Sequence, residues 1–327
     1  MSKISVALCT FNGERYIKKQ LQSVINQAQS IDELIVCDDG SADKTVEILA
    51  DITRSAPFKT QLIRNEQQLG STKNFEKALQ YCTGDIVFLC DQDDEWHPQK
   101  VARQVSFLNS NPEIEAVFTN ASLINQQSEL TGSTLWEQIG FDDNSKKKWQ
   151  AGHGYELLFG SYVVTGATLA IRKDAIERIL PCPDIDKQLI HDGWLALVLA
   201  LENKIQFIDE CLLYYRIHEA QQVGTGQHQR PTTLVERLTR DRLEKLTPLQ
   251  NKVEYLTKLY ALLAARSGFD KHKLHQLKAM KEHFEIRTHL PPNRLARVKP
   301  VWHELTQQRY RYSSQRWWLP LFGDIFE

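Results

Sequence analysis

The sequence predicts an α/β protein: a mostly parallel central sheet flanked by helices, followed by a C-terminal α-helical region. Three observations carry this. Short apolar runs alternate with helix-period segments through the first 120 residues. Those runs lack the polar–apolar alternation of a half-exposed sheet, so burial on both faces is expected. From residue 233 to about 310 the pattern is almost wholly helical and rich in Lys, Arg, Leu and Glu.

Ile4–Cys9 reads as a first strand ending at the Asn12-Gly13 turn signal. Ile17, Leu21, Val24 and Ile25 then recur at helical spacing between Glu14 and Ala28. Leu34–Cys37 is a second strand, and Asp43 is a candidate N-cap for the next helix. Gln61–Ile63 is a third strand. Phe75, Ala78, Leu79 and Cys82 mark a helix that Gly84 stops, and Ile86–Cys90 is a fourth, buried strand. Pro98 fits the first turn of a helix to about Leu108, and Ala116–Thr119 is a fifth strand. Residues 120–152 are polar enough to suggest a loop or lid. Tyr162–Ile171 suggests one or two strands, Asp192–Leu201 a helix, and Ile205–Ile208 and Leu212–Tyr215 two short strands. Gly224-Thr225-Gly226 marks a linker.

The 327 residues carry a formal net charge of −1, which hides a division. Residues 1–229 hold 21 basic and 31 acidic side chains, a balance of −10, and residues 230–327 hold 19 and 10, a balance of +9. Such asymmetry points to partners rather than to fold. Six cysteines without a C-x-x-C pair predict reduced core thiols in a cytoplasmic protein. The apolar run near the N-terminus is too short for a signal peptide, and Leu195–Leu201 is too short to span a bilayer.

Ligands of open parallel sheets bind at the carboxyl ends of the strands. Three polar clusters fall there: Thr10-Phe11-Asn12-Gly13, Asp38-Asp39-Gly40-Ser41 and Asp91-Gln92-Asp93-Asp94. Any one could be turn chemistry; three on one edge are poorly explained that way. Asp91, Asp93 and Asp94 would repel one another without a counter-ion. A hard divalent cation, Mg²⁺ or Mn²⁺, resolves the conflict while keeping one or two carboxylates plus substrate phosphates. Asp192 opens a helix, as an N-cap or as a general base that the helix dipole keeps ionised. His218, just past the last short strand, could reach a metal or a pyrophosphate. No G-x-x-x-x-G-K-[ST] or G-x-G-x-x-G loop is present, which argues against P-loop NTPases and dinucleotide enzymes.

Taken in order, Thr10 to Ile17, Leu34 to Ser41 with Asp43, then Asn65, Gly70, Asn74, Gly84-Asp85 and Leu89 to Asp94 with Trp96 and Pro98 resemble the family 2 glycosyltransferases, which have the GT-A fold. Residues 12–17, 91–94, 191–194 and 215–218 look most like the bacterial rhamnosyltransferase-type branch. The resemblance spans roughly residues 4–224. Cys90 departs from it, standing before Asp91 where an apolar residue is more usual.

The resemblance implies an inverting transfer from a nucleotide-sugar donor to a saccharide or lipid-linked acceptor in cell-surface polysaccharide synthesis. By it, Thr10 and Asp39 hold the base, with Asn12 and Glu14 nearby, and Lys73 contacts the donor phosphates. Asp91 and Asp93 form the D-x-D motif on the metal, and Asp192 is the base. Residues 1–119 become the nucleotide-sugar half, 120–229 the acceptor half and 230–327 a basic helical region. The branch implies dTDP-rhamnose, with UDP-galactose and UDP-glucose open. A catalytically silent sugar-binding module is the alternative. A nucleotidyltransferase fits less well, lacking a Gly-rich basic loop after the first strand.

For the basic region, solvated helix faces, a homo-oligomer contact through Leu256, Leu259 and Leu263, and peripheral contact with anionic membrane through residues 316–322 are the readings. The last is preferred, at the inner face of the cytoplasmic membrane. Nucleic-acid binding has no motif to support it.

Overall fold

Ile4–Thr10 forms β1, a strand buried along its whole length. The computed structural model describes residues 2–160, 162–185, 189–218, 242–266, 268–313 and 316–326. Residues 1–225 and 226–327 are separate compact units. The linker expected at 224–226 and the boundary expected at 229/230 lie outside the described residues.

In the first unit, β1 is followed by α1 (Ile17–Ile25), β2 (Glu33–Asp38), α2 (Thr45–Thr53), β3 (Lys59–Arg64), α3 (Ser71–Tyr81) and β4 (Ile86–Cys90). Each crossover returns the chain in parallel, giving the order β3-β2-β1-β4. The chain runs one way from β1 to β2 and β3, and the other way to β4. That switch point opens a crevice at the carboxyl ends of β1 and β4.

Beyond β4 come β5 (Glu95–Trp96), α4 (Lys100–Ser110), β6 (Ala116–Ile124) and β7 (Leu130–Thr134). Then follow α5 (Leu135–Ile139), α6 (Asp143–Lys148), α7 (Gly154–Leu158), β8 (Ala170–Arg172), α8 (Lys173–Ile179), α9 (His191–Leu201) and β9 (Ile205–Arg216). Among the described residues the nine strands make one mixed sheet. β8 runs antiparallel between β4 and β6, β9 is parallel to β6, and β5 and β7 are antiparallel edges.

Three expectations need correction. Residues 120–152 are not a loop or lid: β6 continues to Ile124, and β7, α5 and α6 follow. Trp136 and Trp149 pack edge-on with Phe118, Phe141 packs edge-on with both tryptophans, and Phe207 meets Trp136 and Phe141. Between them Glu137, Asp142, Asp143, Asn144 and Lys147 face outward, whereas Ser145 is buried. Second, 205–208 and 212–215 belong to one strand, β9. A register shift after Thr119↔Ile208 absorbs the extra residues and hides the continuity. Third, within 162–171 only Ala170 and Ile171 lie in a strand, since residues 166–168 form a helical turn.

In the second unit, helices Arg242–Ala265 and Lys271–Thr288 pack on one another, followed by Arg294–Thr306 and Trp318–Phe326. Asp270 and Asn293 cap the second and third of these through the amides of His272 (2.8 Å) and Leu295 (2.9 Å). Leu256, Leu259 and Leu263 are fully buried within the chain, so that face is not open for subunit contact. Among the described residues no helix is long and apolar enough to cross a membrane.

Candidate active site

The strand register brings the three polar clusters to one edge. Thr10 pairs with Asp38, Asp38 with Arg64, and Leu8 with Cys90. Thr10 Oγ1 donates to Asp38 Oδ2 at 2.9 Å, and the Ser41 amide donates to Asp38 Oδ1 at 2.9 Å. Buried Asp38 therefore organises the turn, leaving Asp39 for other work.

Asn12 and Glu14 stitch the first cluster to the second. The Asn12 amide donates to Ser41 Oγ, and Asn12 Oδ1 accepts from the Ala42 amide, both at 2.9 Å. Glu14 exchanges bonds with the 43–44 segment: its amide donates to Asp43 Oδ2 and its Oε2 accepts from the Lys44 amide, both at 3.0 Å. Asp43 caps α2 from one residue further out than expected, accepting from the Thr45 amide at 3.0 Å. A Cβ on Gly13 would lie 2.2 Å from Gln92 Oε1, which explains glycine there.

Asp39 is buried and spans to the next loop. Its Oδ1 accepts from Asn65 Nδ2 (2.8 Å) and the Leu69 amide (2.7 Å), its Oδ2 from the Gly70 amide (2.8 Å). Three of roughly four acceptor positions on the carboxylate are thus occupied. Lys73, in the first turn of α3, pairs with Glu76 at 2.6 Å and keeps half its side chain exposed.

The acidic turn after β4 is held from both sides. Gln92 accepts from the Phe11 amide at 2.8 Å and donates back to the Phe11 carbonyl at 3.0 Å. Asp91 and Asp93 retain some surface, whereas Asp94 points inward. Asp94 Oδ1 accepts from the Arg216 amide at 2.9 Å, and its Oδ2 has no partner. Burial, then the charges of Asp93 and Asp91, raise Asp94 well above the carboxylate range. Asp91 is pushed up to about 8 by desolvation, then by Asp93 and Asp192. His218 Nε2 lies 2.8 Å from Asp93 Oδ2.

Asp192 does not cap α9. Ile190 occupies that position, and Asp192 stands in the first turn, buried, with Oδ2 on the Gly166 amide and Oδ1 on the Gly193 amide, each at 2.7 Å. Those donors fix the carboxylate, and its charge is one of those acting on Asp91. Tyr215 is raised by burial, then by Asp94, Asp91, Asp93 and Asp192. The four carboxylates therefore share one electrostatic neighbourhood. Thr10, Asn12, Glu14 and Asp39 form its neighbouring wall, and Lys73 is engaged with Glu76 instead.

Two buried cations were given no role by the sequence, although Arg216 lies within the 215–218 motif. Arg216 is completely buried and donates to the Asp93 carbonyl and Glu95 Oε1, both at 2.6 Å, and to the Asn125 carbonyl at 2.8 Å. It also lies 4.7 Å from the Tyr16 ring centroid. Lys100 lies beneath the turn, bonded to Gln104 Oε1 at 2.9 Å and 5.3 Å from the Trp96 ring centroid. Burial lowers it to about 7. An arginine ending a strand was the only available signal for the first. For the second there was none, because an apolar helix face usually excludes lysine.

The donor set fits a hard divalent cation. Asp91 and Asp93 offer carboxylate oxygens whose mutual repulsion such a cation would relieve. Among the described residues no group of three or more His, Cys, Asp or Glu side chains is placed to hold a metal ion by itself.

A family model for glycosyl transferase family 2 matches residues 5–180, more than half of the chain. The chain belongs to that family. This transferase is 28% identical over 220 residues to an uncharacterized glycosyltransferase of Nostoc sp., covering 67% of this chain and 66% of the relative. It is 22% identical over 216 residues to another from Methanocaldococcus jannaschii, covering 65% and 70%. It thus spans about two thirds of the length of these relatives. Escherichia coli WfgD, a UDP-Glc:alpha-D-GlcNAc-diphosphoundecaprenol beta-1,3-glucosyltransferase, is 30% identical over 125 residues, 38% of this chain and 48% of WfgD.

Among solved structures, S. aureus TarS 1–349 with UDP-GlcNAc superposes with a TM-score of 0.54 at 16% identity, covering 95% of this chain and 89% of TarS. The mannosyltransferase PcManGT from Pyrobaculum calidifontis, with GDP-Man and Mn2+, gives 0.54 at 16% identity, covering 99% and 86%. These likenesses establish the fold of the transferase as GT-A.

Proposed function

We propose that the protein is a metal-dependent inverting hexosyltransferase. It moves a sugar from a dTDP- or UDP-linked donor to a hydroxyl of a saccharide or lipid-linked acceptor in cell-surface polysaccharide synthesis. The observation that carries this is the convergence of Asp91, Asp93 and Asp192 at the carboxyl end of β4, with Asp192 acting electrostatically on Asp91. Asp91 and Asp93, with His218 beside them, would hold Mg²⁺ or Mn²⁺. When bound, that ion supplies charge stabilisation to the diphosphate leaving group.

Asp192 is the general base. Held by two amides, it accepts the proton of the acceptor hydroxyl as that oxygen attacks the anomeric carbon from the face opposite the diphosphate. One displacement with one base inverts the configuration and needs no carboxylate nucleophile. Thr10 and Asp39 serve the base of the donor, with Asn12 and Glu14 bracing that wall, and Lys73 reaches the phosphates on leaving Glu76. PcManGT, solved with GDP-Man and Mn2+, supports a divalent ion in such a site.

The rhamnosyltransferase-type motifs support dTDP-rhamnose as the first donor to test, and the WfgD likeness supports UDP-glucose and a lipid-linked acceptor. The reading locates the enzyme at the inner face of the cytoplasmic membrane. A panel of nucleotide sugars, each with and without Mn²⁺, should yield metal-dependent thermal stabilisation and slow release of nucleoside diphosphate for one donor. Stabilisation without release would instead favour a silent sugar-binding module.

A further inference from the structure

Helix Arg294–Thr306 turns Val301 and Leu305 into a small core with Leu290, Tyr310, Leu321 and Ile325. Another face of this helix carries Leu295, Val298 and Trp302, spaced i, i+3, i+7 and exposed by 83%, 51% and 64%. Helix Trp318–Phe326 repeats the arrangement. It buries Gly323 and Asp324 and exposes Trp318, Phe322 and Phe326 at i, i+4, i+8. Two amphipathic helices of one unit thus leave large apolar stripes uncovered, which is unusual for a surface in water alone.

The charges around these stripes identify what covers them. Residues 291–326 contain six basic side chains and two acidic ones, Glu304 and Asp324. Both acidic groups are buried: Glu304 bonds His283 at 2.7 Å, and Asp324 bonds Arg287 at 2.6 Å. Arg294, Lys299, Arg311 and Arg316 are exposed. The segment therefore presents apolar, aromatic and cationic groups to its surroundings and no carboxylate. A second copy pairing through the same patch would set cation against cation. An anionic bilayer offers acyl chains to the stripes, an interfacial zone suited to Trp302, Trp317 and Trp318, and lipid phosphates to the basic groups.

We propose that helices Arg294–Thr306 and Trp318–Phe326, with Trp317 and Arg316, form a monotopic docking face for anionic phospholipid bilayers, the two helices lying in the interface. The proposal gives the membrane location named above a specific surface and rests otherwise on this unit alone. Only part of the terminal segment takes part. Leu319, Pro320 and Leu321 are half-buried, and Asp324 is a buried partner of Arg287, so truncation would damage the fold as well as the face.

The test is co-sedimentation of the full chain with phosphatidylcholine vesicles, with or without about one third phosphatidylglycerol. Binding is expected only with the anionic lipid and should weaken steeply with salt. A Trp302→Ser/Phe322→Ser variant should lose binding and keep its melting temperature, because both positions are exposed. An Arg294→Gln/Lys299→Gln variant should bind on the order of 25-fold more weakly, about fivefold for each charge removed. Donor hydrolysis should be unchanged in both variants, which separates failure of the docking face from failure of the transferase reading. Three results would overturn the proposal: no binding to anionic vesicles, undiminished binding by the Ser variant, or a lipid-free dimer that the Ser substitutions dissociate.

Discussion

His218 Nε2 stands 2.8 Å from Asp93 Oδ2, joining the end of β9 to the acidic turn after β4. The two residues are 125 positions apart, and the same imidazole lies 5.0 Å from the Tyr16 ring centroid. This contact orients one of the two partly exposed carboxylates of that turn.

Replacing His218 with Asn should raise the Mn²⁺ concentration needed for half-maximal transfer by about 10- to 100-fold, as loss of a ligand or its support does. Asp93→Ala should abolish both transfer and metal-dependent donor binding, and chelation of the metal should do the same to the native protein. Metal titration of donor turnover checks all three. A native metal dependence in His218→Asn would separate the imidazole from the metal.

Asp192→Asn should reduce transfer by about 10²- to 10⁴-fold while leaving donor affinity unchanged by calorimetry. The amide must also turn an N–H₂ toward Gly166 or Gly193, both of which are donors. A stability loss of about 1–3 kcal/mol should accompany the change. Transfer at the native rate would remove Asp192 from the chemistry.

Arg216→Lys keeps the charge but not the fork that reaches Asp93, Glu95 and Asn125 together. Arg216 is a positioning residue, so the variant should show a lower kcat and a higher metal requirement while remaining folded. Arg216→Ala should cost about 3 kcal/mol, because it strips partners from a buried site. Equal metal dependence in the Lys variant and the native protein would reduce Arg216 to a structural role.

The second unit should lose stability in mild acid. Burial lowers His283, which keeps it neutral. Its Nδ1–H donates to Glu304 at 2.7 Å and its Nε2 accepts from Ser313 Oγ at 2.9 Å. Tyr310, which donates to Asp324, packs edge-on against the same ring, and Arg287 donates to the same Ser313 Oγ at 2.7 Å and to Asp324. Below an unfolded histidine pKa of about 6.5, the unfolded chain takes up a proton that the folded chain resists, so stability falls with pH. Burial raises Glu304, but the His283 bond together with the neighbouring positive charges, Arg309 among them, lowers it overall and adds a second loss below about 4.5. Melting temperatures from pH 7 to 4 should decline in those two windows, and His283→Gln should flatten the first.

Much of this arrangement was legible in the residues. Val6 beside Ala7, Ile35 beside Val36 and Val87 beside Phe88 announced strands buried on both faces, and the Asn, Asp and Gly clusters that follow them announced the edge where the polar groups gather. The ordering of 120–152 was not legible, because Trp136 and Phe141 are held by Phe118 and Phe207, partners supplied by two distant strands. The roles of Arg216 and Lys100 were not legible for a related reason. They come from what tertiary folding sets around them, namely two backbone carbonyls and Glu95 for Arg216, and the rings of Phe88 and Trp96 for Lys100. Asp192 was recognised, but its two amide donors sit on Gly166 and Gly193, and only the first turn of α9 reveals why it is not a cap.

Asp39 gathers Asn65, Leu69 and Gly70 onto one buried carboxylate. The loop from 65 to 70 is therefore fixed when the chain folds, not when a ligand arrives. A molecule settling against that wall meets a surface already in its final shape, and no loop-ordering entropy is drawn from the association. Replacing Asp39 would release Asn65 and the amides of Leu69 and Gly70 together, so the shape of that wall and the carboxylate proposed to serve the donor base would be lost in one step.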